Sequence, residues 1–145
     1  MKLFQIEEPD GAPVDPDMPG AAIGIDLSGS HIEVAVAIGG NAAVLTDREG
    51  SEHELSVPLP GAATEAWQRL FEGARLRAER ALGRPVTHAV LAVGSAPDAA
   101  LLAASEAAGL VLLHVVARDE LDGAVPPVLA AAILAEDLAP RPGTP

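Results

Sequence analysis

The sequence predicts an α/β domain: a mixed β-sheet in the chain order β-β-β-α-β-α-β-α, with helices covering the sheet. Three observations predict it. Short apolar runs separated by Gly, Asn and Asp turns occupy residues 21–59, the mark of a strand meander. From Thr64 onward, segments with helical spacing alternate with short apolar runs, the mark of strands joined by crossover helices. Gly83 before Arg84-Pro85, and Gly109 after an alanine-rich segment, sit where helices stop.

The elements follow in order. AAIGIDL (21–27) reads as the first strand, and HIEVAVAI (31–38), after Ser-Gly-Ser, as the second. Gly39-Gly40-Asn41 makes a turn into AAVLT (42–46). Asp47-Arg48-Glu49-Gly50 turns again into ELSVPL (54–59), so that the third strand is in one piece or broken in two. Pro60-Gly61 closes this β region. Thr64 caps a helix whose apolar positions, Trp67, Leu70, Phe71, Ala74, Ala78, Ala81 and Leu82, recur at threes and fours. THAVLAV (87–93) reads as a buried strand. Ser95 or Asp98 caps the second helix, which runs to Gly109. LVLLHVV (110–116) also reads as buried, being nearly continuous in apolar residues as parallel strands tend to be. An irregular acidic stretch follows, and Pro126-Pro127 opens a last helix to about Leu138. A hairpin meander feeding alternating helix and strand is the ribonuclease-H-like pattern. Residues 1–20 read as a flexible acidic arm, 21–139 as a single domain and 140–145 as a tail.

Composition narrows the function classes. The chain has 145 residues, enough for a real core, with 49% hydrophobic and only 2% aromatic residues. That core must therefore be built from Ala, Val, Leu and Ile. The formal net charge of −12 disfavours nucleic acid and anionic membrane surfaces, which draw on clustered Lys and Arg. Cysteine is absent, so disulfides, thiol catalysis and zinc–thiolate sites are excluded. No secretory signal is visible, and Val125 to Ala135 is too short to span a bilayer, so a cytoplasmic protein is expected.

Three stretches, in the right order, resemble the DnaK-type heat-shock chaperone ATPases of the actin superfamily. IGIDLSGSHIEVAVAIGGNAAVLTDREGSEHELSVPL (23–59) is similar to the family's opening, where G-I-D-L-G-T-T precedes a V-A-V strand, a turn and E-G-N-R-x-x-P-S-V. ALGRPVTHAVLAV (81–93) is similar to L-G-x-x-V-T-x-A-V-I-T-V. AAGLVLLHVV (107–116) is similar to A-G-L-E-V-L-R-I-I. The resemblance covers the first lobe only, and it implies a ribonuclease-H-like fold.

It also implies a phosphate loop. In the family the first hairpin cradles phosphates with backbone N–H groups and hydroxyls, and the aspartate organises magnesium through water. Asp26, Ser28, Gly29 and Ser30 take those positions here. Ser28 stands where the family usually has Gly, and its Cβ is expected to obstruct close backbone approach. The plainer reading is a tight turn whose Asp and Ser satisfy the backbone locally. The family's phosphate-contacting lysine has no counterpart, because Lys2 is the only lysine. Its hydrolytic glutamate is missing too: the aligned stretch is Ala117-Arg118-Asp119-Glu120, or Pro126 if the last helix is aligned instead. The second lobe is not present in these residues. The resemblance thus implies a degenerate, non-catalytic module acting through a protein partner or self-association. No tightly held cofactor is expected, with ATP and Mg held in the millimolar range or worse. The alternative is residual ATP/Mg binding completed by oligomerisation or a partner chain.

A remoter alternative is a metal-dependent nuclease, with Asp26 joined by Asp98, Asp119 or Glu120. The plain reading makes Asp98 a helix cap and the other two solvated loop charges. His31, His53, His88 and His114 show no paired metal spacing. Trp67 reads as a core anchor. Arg69, Arg75, Arg77 and Arg80 read as the wet side of the first helix, a basic cluster on which an acidic partner, or the chain's own acidic arm, can dock.

Overall fold

The computed structural model describes residues 21–29, 31–45, 58, 63–94, 99–121 and 123–139. Five strands and three helices fill them: β1 (Ala21–Asp26), β2 (Glu33–Ile38), β3 (Asn41–Val44), α1 (Thr64–Leu82), β4 (Val86–Val93), α2 (Ala99–Ala107), β5 (Val111–Ala117) and α3 (Pro127–Leu138). A short 3₁₀ turn, Arg118–Glu120, lies in the acidic stretch after β5. The fold is α/β with one mixed sheet in the order β3-β2-β1-β4-β5. β1 pairs antiparallel with β2 and parallel with β4, and β4 pairs parallel with β5. ELSVPL (54–59) lies almost wholly outside the described residues, and its one described position, Pro58, is in no strand.

The meander forms because its turn residues permit it. Ile38 pairs with Asn41 across a two-residue loop, in which Gly39 and Gly40 have φ of 61° and 83°. Such a turn matches the twist of the strands it joins, and the positive φ at both positions favours Gly. α1 ends at Gly83 in the left-handed conformation (φ 69°), its N–H donating to the Glu79 carbonyl at 2.8 Å.

Helices cover both faces of the sheet. On one face Ile23, Ile25, Val34, Ala89, Leu91 and Val93 pack with Trp67, Leu70, Phe71, Ala74 and Ala78 of α1 and Leu101 and Ala104 of α2. Trp67, only 6% exposed, is the core anchor expected of it. On the other face α3 brings Ala131 and Ala135 onto Val90, Ala92 and Val116, and Val128 and Ala132 onto Ala35 and Ala37. The contacts here are between backbones. A Cβ on Gly24 of β1 would lie 2.4 Å from the Ala132 nitrogen and 2.7 Å from the Ala131 carbonyl carbon, so α3 is seated as closely as a sheet permits.

Polar contacts tie the layers together. Both oxygens of Glu136, near the end of α3, accept from the hairpin tip: Gly39 N at 2.5 Å and Gly40 N at 2.8 Å. Glu79 Oε2 accepts from Val86 N at 2.9 Å and from Arg75 Nη1 at 3.1 Å, fixing the entry to β4.

Four expectations need correction. Thr64 is the first helical residue rather than the cap, and Ala63, in the cap position, makes no side-chain hydrogen bond. LVLLHVV is not a buried strand: β5 is a sheet edge, where Val111 is 56% exposed, His114 is exposed, and only Val116 is buried. Arg75 is not simply wet. Its Nε donates to the Ala108 carbonyl at 3.0 Å and fastens α1 to the end of α2. Arg77 is half-buried rather than part of a solvated face. The caps expected at Ser95 and Asp98 lie outside the described residues. Among the described residues, no helix is long and apolar enough to cross a membrane.

Candidate functional site

Connectivity makes one end of the sheet distinctive. β1, β4 and β5 run parallel, so their carboxyl ends share one edge, and β3 runs in the same direction. Each helix follows a strand that ends at this edge and runs back toward the other. The N-termini of α1, α2 and α3 therefore face the edge where β1 delivers Asp26. Aligned helix dipoles favour negative charge at such a place, and open α/β sheets present ligands at the carboxyl ends of their strands.

Asp26 is the last residue of β1 and only 7% exposed. It sits between Glu33 of β2 and Ala92 of β4 in the ladder, and the next residue, Leu27, still donates its N–H to the Ala92 carbonyl at 2.8 Å. The chain turns immediately afterwards. Asp26 Oδ1 accepts from Ser28 N at 2.9 Å and from Ser28 Oγ at 2.6 Å. This is an Asx turn reinforced by a hydroxyl: one carboxylate oxygen takes both donors that its neighbour offers. One oxygen of a buried aspartate is thereby satisfied within three residues of chain.

Ser28 also meets β4. A Cβ on Gly94 would lie 3.7 Å from both Cα and Cβ of Ser28, so the turn after β1 rests beside the end of β4. Gly29 shows no positive φ, and a Cβ there would meet only the His31 carbonyl oxygen, at 3.7 Å. Neither backbone angle nor crowding requires glycine at 29. Ser30, the fourth residue of the expected loop, lies outside the described residues.

Two of the carboxylates named for metal-dependent hydrolysis, Asp119 and Glu120, lie on the 3₁₀ turn after β5. Glu120 Oε1 folds back to accept from Ala117 N at 3.0 Å, capping the 3₁₀ turn, and Asp119 is exposed. Asp98 lies outside the described residues. Among the described residues no group of three or more His, Asp or Glu side chains is placed to hold a metal ion.

Sequence reasoning missed a pairing of histidines. His88 on β4 and His114 on β5 stand on the α3 side of the sheet, on neighbouring strands. His88 pairs with Ala22 and Val111, and His114 pairs with Val90. Thr87 Oγ1 lies 2.7 Å from His88 Nδ1. Partial burial of His88 lowers its pKa below the usual imidazole value, because desolvation disfavours the charged ring. The two residues are 26 positions apart, which no short metal motif would reveal.

No protein-family model matches the chain, and no curated protein matches it in sequence.

Proposed function

We propose that the chain is a degenerate chaperone-ATPase-like module with a ribonuclease-H-like fold. It is non-catalytic and acts through protein contacts as an interaction or assembly component. The sheet order β3-β2-β1-β4-β5, with β2 alone antiparallel to its neighbours, supports the fold reading. So does the position of Asp26 at the carboxyl end of β1, beside the end of β4.

One observation carries the non-catalytic reading. The Ser28 N–H and hydroxyl, donors that a phosphate loop would offer to its ligand, are both spent on Asp26 Oδ1. A phosphate would have to break that turn before gaining anything from it. Charge-assisted hydrogen bonds contribute about 1.5–3 kcal/mol each, while millimolar affinity already needs about 4 kcal/mol. With no lysine beyond Lys2 and a net charge of −12, few compensating contacts remain.

A second reading is residual ATP and magnesium binding, completed by a second copy or a partner chain. The specific observation in its favour is that α1, α2 and α3 all begin at the edge of the sheet that holds Asp26, and helix N-termini favour negative charge. Titration of the full chain with Mg-ATP separates the two, and steady-state phosphate release tests the absence of catalysis. The non-catalytic reading expects no turnover above a buffer blank and no difference between wild type and Asp26→Ala. Turnover abolished by Asp26→Ala overturns it. Co-purification recovering a specific protein, or sedimentation detecting a dimer, is the positive result expected of an interaction module.

A further inference from the structure

The sheet contains two register irregularities, and each falls immediately before a histidine. Ala21 pairs with Val86 and Ala22 with His88, which leaves Thr87 as an extra residue in β4. Ala89 pairs with Leu112 and Val90 with His114, which leaves Leu113 as an extra residue in β5. A bulge re-aims the side chains that follow it, and bulges recur beside functional sites. Both histidines here end on the same face: His88 lies opposite Ala22, and His114 opposite Val90, two residues further along β4. Strand rise of about 3.3 Å per residue and strand spacing of about 4.8 Å place their Cα atoms about 8 Å apart, within reach of two imidazoles sharing one ion.

The surroundings leave this pair accessible. α3 lies chiefly over β1 and β2 and touches β5 least. His114 and Val111 are exposed and His88 is half-buried. Thr87, the bulged residue, orients the His88 ring by its contact with Nδ1. In the tautomer whose Nδ1–H donates to Thr87 Oγ1, Nε2 carries the lone pair that a metal ion takes, and the hydroxyl steadies the ring.

We infer that His88 and His114 form a two-histidine site for a borderline divalent transition ion of the zinc and copper class, its other positions taken by water. Two imidazole nitrogens suit zinc, nickel and copper and not magnesium or calcium, which prefer oxygen. The inference goes beyond the interaction module proposed above and needs nothing from the edge that holds Asp26.

Calorimetric titration of the full chain with Zn²⁺ alone, and separately with Cu²⁺, tests it. One ion per chain is expected, with copper tighter than zinc. His114→Ala removes an exposed side chain and leaves the fold intact, so it is the decisive variant. His114→Ala and His88→Ala should each weaken zinc binding at least about tenfold, while His31→Ala and His53→Ala change it less than about twofold. In histidine ring NMR spectra, Zn²⁺ should move the His88 and His114 signals together. Absence of zinc binding overturns the inference. Binding that survives His114→Ala, or that depends on His31 or His53 instead, overturns it as well, and none of these outcomes touches the Asp26 reading.

Discussion

Replacing Gly24 with alanine tests the packing on which the α3 side of the fold rests. The added Cβ would sit 2.4 Å from Ala132 N, 2.7 Å from the Ala131 carbonyl carbon and 2.8 Å from Ala132 Cα. All three are backbone atoms, so no rotamer change relieves the clash. Restoring ordinary contact means lifting α3 by about 1 Å, which loosens Val128, Ala131, Ala132 and Ala135, each 0% exposed. Overpacking a core costs about 1–3 kcal/mol and occasionally more, and a rigid helix places this site at the top of that range. Reduced freedom of the unfolded chain returns about 0.4–1 kcal/mol. The net loss is about 2–3 kcal/mol, or a fall in Tm of about 8–12 °C at about 4 °C per kcal/mol for a chain of this size. Thermal melts followed by circular dichroism, with Gly29→Ala as the control, provide the assay. The control Cβ meets only one oxygen at 3.7 Å, so Gly29→Ala should stay within about 0.5 kcal/mol of wild type. A Gly24→Ala protein that melts with wild type would refute the close seating of α3.

Three other perturbations follow from single contacts. Glu136→Ala frees the hairpin tip, and amide exchange at Gly39 and Gly40 should accelerate severalfold for a stability loss of about 0.5–1 kcal/mol, the site being exposed. Arg75→Ala leaves the Ala108 carbonyl without its donor and should cost about 1 kcal/mol in urea unfolding, whereas Arg69→Ala, on the exposed side of α1, should be neutral. His88 has a folded pKa below that of the unfolded chain, so the unfolded state takes up its proton first as pH falls. Its contribution is therefore constant above about pH 6.5, declines as pH drops from there through the folded pKa, and levels off below it. His88→Gln should flatten that part of a stability-versus-pH curve, and an unchanged slope between wild type and variant would count against the desolvation.

What could be read from the sequence was what depends on near neighbours. The Gly39-Gly40 turn, the Gly83 stop and the Trp67 anchor follow from residue type and periodicity, which act within one turn or one hairpin. The Asp26–Ser28 turn was open to the same reasoning, because an aspartate bonding two residues on is a local event. LVLLHVV misled for a physical reason: apolar residues report a strand's affinity for a core, not whether a neighbour flanks it on both sides. Thr64 misled because the cap position shifts by one residue at no cost in pattern. Gly24 carries no signal of its own, since glycine in a strand reads alike whether it serves a bend or a helix approaching from the far end of the chain. The Glu136 tether spans 97 positions, and the two bulges beside His88 and His114 slip the alternation inside runs too continuously apolar to show it. Each depends on which strands become neighbours, and that is settled only when the whole sheet forms.

A non-catalytic module of the kind proposed requires the Asp26 turn to be closed to nucleotide. Isothermal titration of the full chain with Mg-ATP tests this directly. The proposal predicts dissociation in the millimolar range or weaker, about 4 kcal/mol or less of binding free energy, with Asp26→Ala, which frees the Ser28 donors, binding no more weakly than wild type. Submicromolar binding that disappears in Asp26→Ala would contradict it.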